Sequence, residues 1–547
     1  MNVKLINCLK IFRDTFPPYG LGVLNAFLNS HSIRSDIFDL DVVVKYHNSL
    51  GEKSSIVNLR YLRENYDTIY SILKLNKFDS YLDMQFERML KKINLNGVDV
   101  VGLNSHDSEI YVPLYLAKKI KEKTGCTVVI GGSHVKRINY DRLKYFIDNL
   151  NVDYVDYFVM LYPDKFFLRL NENKIRKTLQ GKAEIFPEEE YIKNPNNKTL
   201  EGVSDKHLDF TIPLYNKEHL ELYKIDMKKI RFFYPRFNNV LLNKLESLDG
   251  GKPILILPYI FMKGCTHNCA FCFAGLQKPF KLDVEKVVSS VKAMKEEYKC
   301  DNFYFINNNL VMDKEYAINL FKRLSDETGI KWSDASSIRG LDNKMLKLMS
   351  DSGCIQLLFG LESASQKILK YVHKNIDYNE IGYYTKCFKN CDKNNIWVVV
   401  DLILGFPYET RDDIRRSVSY IEENKEFING VYPLYFTMFD SSVMFSNPKK
   451  YGLEIVDDKV VRERIMSVFG KDVDVYRKVF YRTFPFNEID GGLGWEEKQN
   501  QIRRTFRRFN RYVSNRFKTQ IYVHYPIFFL YNMFNGNKKD IVRFLTP

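Results

Sequence analysis

Across 547 residues, no stretch approaches the run an apolar membrane-spanning helix needs, which is roughly 18 to 20 residues. The opening MNVKLINCLKIF is too short and too mixed to be a secretory signal. Together these absences predict a chain without a transmembrane segment and a cytoplasmic location. Cysteine is sparse and odd in number, at nine. That argues against a disulfide framework and leaves metal binding or catalysis for any tight cluster. No GxGxxG follows the first apolar strand, so nothing supports NAD binding. No internal repeat points to a solenoid.

What is present is an ordinary globular composition, 45% apolar and 27% charged, on a length that predicts two or three domains. The net charge of +15 suits nucleic acid, anionic lipid, a phosphorylated substrate or an acidic peptide, and does not choose among them.

Over residues 1–175 apolar strands alternate with amphipathic helices. MNVKLINCL, IRSDIFDL, VDVVGLNS, TVVIGGSH and VDYVDYFVM read as strands, GLGVLNAFLNSH and VPLYLAKKIKEKTG as helices. This α/β rhythm predicts a Rossmann-like, doubly wound parallel sheet with ligands beyond the carboxyl ends of its strands. The loops to inspect are Phe16–Gly22, Asn104–Ser108 and Gly131–His134. Residues 176–250 lose the rhythm and predict an irregular linker. It returns over residues 251–450, where ILILPYIFM, NFYFINNN, KWSDASS, IQLLFGLES and WVVVDLILGF are strands separated by helices. Such repeated units predict a partial barrel whose functional groups stand at the strand carboxyl ends. Residues 451–547 read as mainly helical, facing substrate or a partner.

The one cysteine cluster is FMKGCTHNCAFC, residues 261–272, with Cys265, Cys269 and Cys272. Soft thiolates suit an iron-sulfur cube, and three of them leave one iron without a protein ligand. The competing reading is a zinc site completed by His267. No second Cys/His pair follows at zinc-finger distance, which favours iron-sulfur. Cys8, Cys126, Cys300 and Cys354 read as buried small apolar residues, and Cys387 and Cys391 share a helix face.

Cys265-x3-Cys269-x2-Cys272, with Phe271 before the last cysteine and a strand just before the loop, resembles the signature of the radical S-adenosylmethionine (SAM) superfamily. The resemblance implies a (β/α)6 partial barrel with a [4Fe-4S] cluster on these cysteines, its open iron chelating SAM. Reduction by a flavodoxin- or ferredoxin-type donor of low potential then yields methionine and a 5'-deoxyadenosyl radical. The likeness continues through Asn307-Asn308-Asn309, Ser336-Ser337-Ile338-Arg339, Phe359-Gly360-Leu361-Glu362-Ser363 and Leu404-Gly405-Phe406-Pro407-Tyr408-Glu409-Thr410. It implies SAM-binding roles for Asn308, Ser336, Arg339, Glu362 and Gly405. Each segment also has a plainer role. The asparagines make a polar turn and depart from the acidic residues common there in relatives. Arg339 is a charge at a helix start, although a guanidinium suits the SAM carboxylate. Glu362 is a helix cap, and Gly405 and Pro407 shape a turn.

FPPYGLGVLNAFLNSHSIRSDIFDLD, VDVVGLNSHDSEIYVPLYLAKKIKEKTGCTVVIGGSHVKR and VDYVDYF resemble the cobalamin-binding domain that precedes the radical SAM barrel in one branch of the superfamily, the class B methyltransferase type. That likeness implies cobalamin, with Asn104, Ser105 and Ser108 near the corrin. Gly131, Gly132 and Ser133 would let its nucleotide tail pass close to the backbone. No DxHxxG follows the first strand, so no histidine is marked as lower cobalt ligand, and His106 lies in a different loop. The implied activity is methylation of an unactivated carbon in a peptide or small natural-product substrate. Cyclisation, ring contraction or epimerisation without methyl transfer is the alternative within the superfamily. A metal-stabilised nucleic-acid-binding protein is the alternative outside it, built on the basic, aromatic RRTFRRFNRYVSNRFK at 503–518. The plainer role for that stretch is an amphipathic helix packing its rings on the barrel, which disfavours nucleic acid as a partner.

Overall fold

Two parallel sheets organise the chain, one in each of two compact units, the first built on Met1–Ile225 and Lys229–Arg236, the second on Phe237–Ser467 and Arg482–Pro547. The computed structural model describes residues 1–11, 16–51, 57–65, 68–69, 72–73, 78–106, 110–137, 140–150, 152–175, 183–187, 212–233, 243, 245–248, 251–272, 274, 279–374, 378–439, 442–456, 484–516 and 524–545.

In the first unit the strands are β1 (Asn2–Asn7), β2 (Arg34–Asp39), β3 (Val100–Asn104), β4 (Thr127–Gly131), β5 (Tyr157–Val159) and β6 (Glu184–Phe186), all parallel and ordered β2-β1-β3-β4-β5-β6. The order reverses between β1 and β3, and at such a switch point a crevice opens beyond the strand ends. Asn7 and Asn104, paired in register, close β1 and β3 there. Helix α1 (Tyr19–Ser30) starts directly after Pro18. Helix α2 (Leu40–Leu50) is capped by the Asp39 carboxylate, which accepts from the Val42 amide. Val3, Leu5, Leu28, Ile33 and Phe166 form the core between sheet and helices.

Two pieces of the expected linker at 176–250 belong to this unit instead. Glu184–Phe186 is the sixth strand. The Leu214 amide donates to Gly22 O at 2.9 Å, and the Tyr223 hydroxyl donates to Asp39 Oδ2 at 2.6 Å. Tyr215, Leu220 and Tyr223 are buried. These pieces are too short to carry a readable period, yet their apolar rings stabilise the unit through burial.

In the second unit β7 (Leu257–Tyr259), β8 (Asn302–Phe305), β9 (Lys331–Ser336), β10 (Cys354–Glu362), β11 (Trp397–Leu404) and β12 (Gly430–Tyr435) lie side by side in chain order, all parallel. The crossovers include α3 (Lys314–Glu327), α4 (Asn343–Asp351), α5 (Tyr378–Lys393) and α6 (Arg411–Glu423). Trp332, fully buried, stacks at 5.4 Å on Phe305 and on Phe321 of α3, fixing helix to sheet. This is the expected partial barrel.

The C-terminal region is mainly helical, with α7 (Trp495–Arg516), α8 (His524–Met533) and α9 (Lys538–Leu545) beside a short antiparallel pair, Leu453–Ile455 and Phe486–Glu488. Helix α7 buries Ile502 and Phe509, sets Phe506 5.7 Å from Tyr435 of β12, and pairs the Tyr512 hydroxyl with Glu422 of α6. The described rings of the basic stretch therefore cover the edge strand, while Arg504, Arg507, Arg508 and Arg511 stay exposed. Among the described residues no helix is long and apolar enough to cross a membrane.

Candidate functional site

The cysteine loop leaves β7 and is held by the next strand end. Asn307 Oδ1 accepts from the amides of Phe261 and Met262 at 3.2 and 2.9 Å, and Asn308 Oδ1 accepts from the Gly264 amide at 2.9 Å. Asn307 is held in turn by Asp334 of β9, its side-chain amide donating to Oδ2 at 2.6 Å. Burial pushes the Asp334 carboxyl well above the usual range, with these hydrogen bonds opposing the rise. Gly264 has φ +73°, a turn that favours glycine and starts the loop away from the strand. Further on, the Ala270 amide donates to Val372 O and Ala270 O accepts from the Met444 amide, both at 2.9 Å. The polar asparagine run is thus the clamp of the loop, and Asn308 in particular acts on Gly264.

All nine cysteines are free thiols. Cys269 is buried, Cys265 and Cys272 partly so. The three sulfurs lie within electrostatic reach of one another. Burial raises the Cys269 thiol to about 11, Lys374 pulling the other way and Glu362, Cys272 and Cys265 adding to the rise. Cys272 is raised for the same first cause. The amides of His267 and Ala274 point at Cys265 Sγ and Cys272 Sγ, each at 3.4 Å. N–H groups aimed at sulfur favour the thiolate and tune an iron-sulfur centre. Soft sulfur donors on one loop, with amide donors behind them, fit a [4Fe-4S] cluster. Among the described residues no three His, Cys, Asp or Glu side chains gather tightly enough for a single ion.

Opposite the loop, β10 ends in a distortion. Its register against β11 shifts between Gly360 and Glu362, and Glu362 has φ +63°, a conformation that costs roughly 1–3 kcal/mol and persists where packing over-determines it. The bend aims Glu362 at Lys374, Oε1 to Nζ 2.8 Å. Burial works against the Lys374 ammonium, but Glu362, with Tyr384 and Cys269 adding to it, raises its pKa on balance. The following short helix is preceded by Ser365 at its N-cap position, so Glu362 is not its cap. Arg339, exposed after β9, and Lys374 both act electrostatically on His267, whose pKa is lowered first by burial and then by these cations. Ser336 is buried, its hydroxyl donating to Ser337 O. The structure therefore brings Arg339 and Glu362 toward the cysteine loop and sets Asn308 behind it, while Ser336 turns to its neighbour Ser337.

Gly405 has φ +89°, and a Cβ there would stand 2.3 Å from Ile502 Cγ1 of α7. Its amide donates to Glu409 Oε2 at 2.6 Å. Nearby Lys498, fully buried, pairs with Glu488 at 2.8 Å and donates to Phe406 O at 2.6 Å. The glycine is thus required by the packing of the C-terminal helix. Asn307 lies in the NNN run and Asp334 in KWSDASS, but nothing in the sequence marks Lys374 or Lys498.

At the carboxyl edge of the first unit, Ser105 is buried and its amide and hydroxyl both donate to Gly131 O at 2.8 Å. A Cβ on Gly132, at φ +102°, would meet Asn104 Oδ1 at 2.1 Å and Ser105 O at 2.6 Å. These residues tie β3 to β4. Gly132 and Ser133, after β4, are exposed and Asn104, at the end of β3, partly so, which leaves their polar groups open at the carboxyl edge of the sheet. Ser108 lies outside the described residues. His106 Nε2 lies 2.8 Å from Asn7 Oδ1 and 3.3 Å from the Asn104 side-chain amide nitrogen, so the ring is held between the asparagines that close β1 and β3.

The family model of the Radical SAM superfamily matches residues 259–421. These residues are a radical SAM domain. Relatives of this domain include an uncharacterized methyltransferase of Pyrococcus horikoshii, 28% identical over 165 residues, 29% of this chain and 35% of that protein. Cytidylyl-2-hydroxyethylphosphonate methyltransferase of Streptomyces wedmorensis is 29% identical over 174 residues, 29% of this chain and 32% of its own. Bacteriochlorophyllide d C-8(2)-methyltransferase of Chlorobaculum tepidum is 26% identical over 236 residues, 40% and 49% of the two chains. The chain spans about a third to a half of the length of these relatives. Over more of the chain there is also a likeness of fold. The radical S-adenosylmethionine methyltransferase TsrM of Kitasatospora setae, solved with cobalamin and a [4Fe-4S] cluster, superimposes with TM-score 0.56 over 92% of this chain and 91% of that one, at 13% identity.

Proposed function

We propose that this chain is a cobalamin-dependent radical SAM methyltransferase, acting in the cytoplasm on an unactivated carbon of a peptide or small natural-product substrate. The observation that carries the proposal is the set of three cysteines, clamped by Asn307 and Asn308 and faced by Arg339 and the Glu362–Lys374 pair. The methyltransferase names of the relatives and the TsrM-like fold support the methyl-transfer half of it.

Cys265, Cys269 and Cys272 would hold a [4Fe-4S] cluster, which supplies the electron that cleaves SAM. Because burial holds the Cys269 thiol up at about 11, loading the site releases protons, as thiolate ligation requires. Arg339 presents a planar two-pronged donor to the SAM carboxylate. Glu362, held by Lys374 at 2.8 Å, would accept from the SAM amino group. Around them Phe261, Phe305 and Phe406 are buried, so the protein excludes water that would quench a radical. In the first unit, Asn104, Gly132 and Ser133 would hold cobalamin, the carrier of the methyl group. A flavodoxin- or ferredoxin-type protein would deliver the electron.

The test is the metal content of protein produced anaerobically with cobalamin. About four irons and about one cobalt per chain are expected. Iron without cobalt would remove the cobalamin half of the proposal, and zinc alone would remove all of it.

A further inference from the structure

A cavity of about 620 Å³ opens beside the cysteine loop, lined by His267, Arg339, Lys374, Lys386, Asn390 and Lys393 among others. This size suits a small molecule rather than a flat protein contact. His267 brings the cavity to the cysteine loop. From there it runs along α5 from Tyr383 to Lys393, which at helical rise spans about 15 Å.

Its chemistry is one-sided. Four cationic side chains line it against a single carboxylate, Asp342. That carboxylate is already engaged, accepting from the Met345 amide at 2.8 Å at the start of α4 and from Lys314 at 3.3 Å. Lys374 is neutralised by Glu362. Lys386 and Lys393 are exposed and have no acidic partner among the described residues. They sit seven residues apart, two helical turns, and therefore on the same face of α5. His267 Nε2 is buried and has no hydrogen-bond partner among the described residues. Tyr383 leaves 58% of its surface exposed at the rim. Two cations with no acidic partner among the described residues, about 10 Å apart along a helix, match a ligand with more than one negative charge. An apolar or cationic substrate would leave them unpaired.

We propose that this cavity binds the pyrophosphate- or phosphate-ester end of the substrate, with Lys386 and Lys393 as its electrostatic anchors and Arg339 between them and the cysteine loop. The inference deepens the radical SAM reading above and rests on it for the direction in which the substrate's reactive carbon would point. Concave shape argues for a small anion over an acidic electron-transfer protein, which would need a convex or flat basic face.

The test uses inorganic pyrophosphate as probe, with the full-length, cluster-loaded protein and the Lys386→Gln/Lys393→Gln double variant, by calorimetry at low and high salt. The variant keeps both helix-forming side chains long and leaves the cysteines untouched. Pyrophosphate binding that weakens at least tenfold in the variant, while iron content and 5'-deoxyadenosine formation match the parent, is the expected result. Equal pyrophosphate affinity in both proteins would overturn the proposal, as would equal affinity accompanied by slower reduction of the variant by flavodoxin, which would make the face an electron-donor dock. If neither protein forms 5'-deoxyadenosine yet the variant alone loses pyrophosphate, the anion site stands and the radical reading falls.

Discussion

Lys374 Nζ lies 2.8 Å from Glu362 Oε1, and the pair occupies the space in which a side chain at position 360 would stand: a Cβ on Gly360 would meet Glu362 Oε1 at 2.4 Å and Lys374 Nζ at 3.0 Å. The glycine therefore exists for the ion pair. Gly360→Ala should push the carboxylate off its place and weaken SAM binding about tenfold or more, a change of about 1.4 kcal/mol. Equilibrium binding of SAM to the iron-loaded variant checks this, with iron content unchanged. Lys374→Met should act in the same direction, because it leaves a buried carboxylate uncompensated.

The thiol set makes a sharper prediction. Replacing Cys265, Cys269 or Cys272 singly with alanine should remove SAM cleavage below detection and lower the iron content. Cys387→Ala and Cys391→Ala, in the buried face of α5, should leave both intact and cost only stability. Iron analysis on the five proteins separates ligands from packing cysteines.

Gly405 bears on the C-terminal helix more than on a ligand. Gly405→Ala would force a left-handed residue against Ile502, for a cost of roughly 2–4 kcal/mol from overpacking and strain. Thermal unfolding should show the loss, and adding Ile502→Ala should recover part of it, since the two changes meet at one contact.

Glu409 provides a pH signature. Burial raises its carboxyl from 4.5 to about 7, Asp413 adding to the rise, while the Gly405 amide and Lys498 oppose it. The folded state thus holds a proton that the unfolded chain has released between these values. Stability from this group is greatest at low pH and is lost as pH rises through about 7, on the order of 1–3 kcal/mol. Glu409→Gln should flatten the fall in stability between pH 5 and 8 relative to the parent, measured by denaturant unfolding at a series of pH values.

Much of this was readable from the chain. The alternation of strand and helix made both parallel sheets readable, because inner strands such as Val100–Asn104 and Trp397–Leu404 are largely buried and read as apolar runs. The cysteine spacing named its own chemistry, since three ligands in eight positions have few other uses. The NNN run was visible but its job was not: Asn307 and Asn308 act through Asp334 and Gly264, contacts that join different strands and have no sequence spacing. Glu362 was expected near SAM, yet its partner Lys374 lies beyond a short helix with nothing to mark it. Likewise nothing in the sequence marks the close neighbour of Gly405, Ile502, nearly a hundred positions on. The strand Glu184–Phe186 was missed because three residues carry no period.

The most direct measurement is the formation of 5'-deoxyadenosine from SAM by the anaerobically reconstituted protein under a strong reductant, with Cys269→Ala beside it. The account predicts 5'-deoxyadenosine from the parent and none from the variant. An iron-loaded parent that binds SAM and forms no 5'-deoxyadenosine, or a variant that forms as much as the parent, would contradict it.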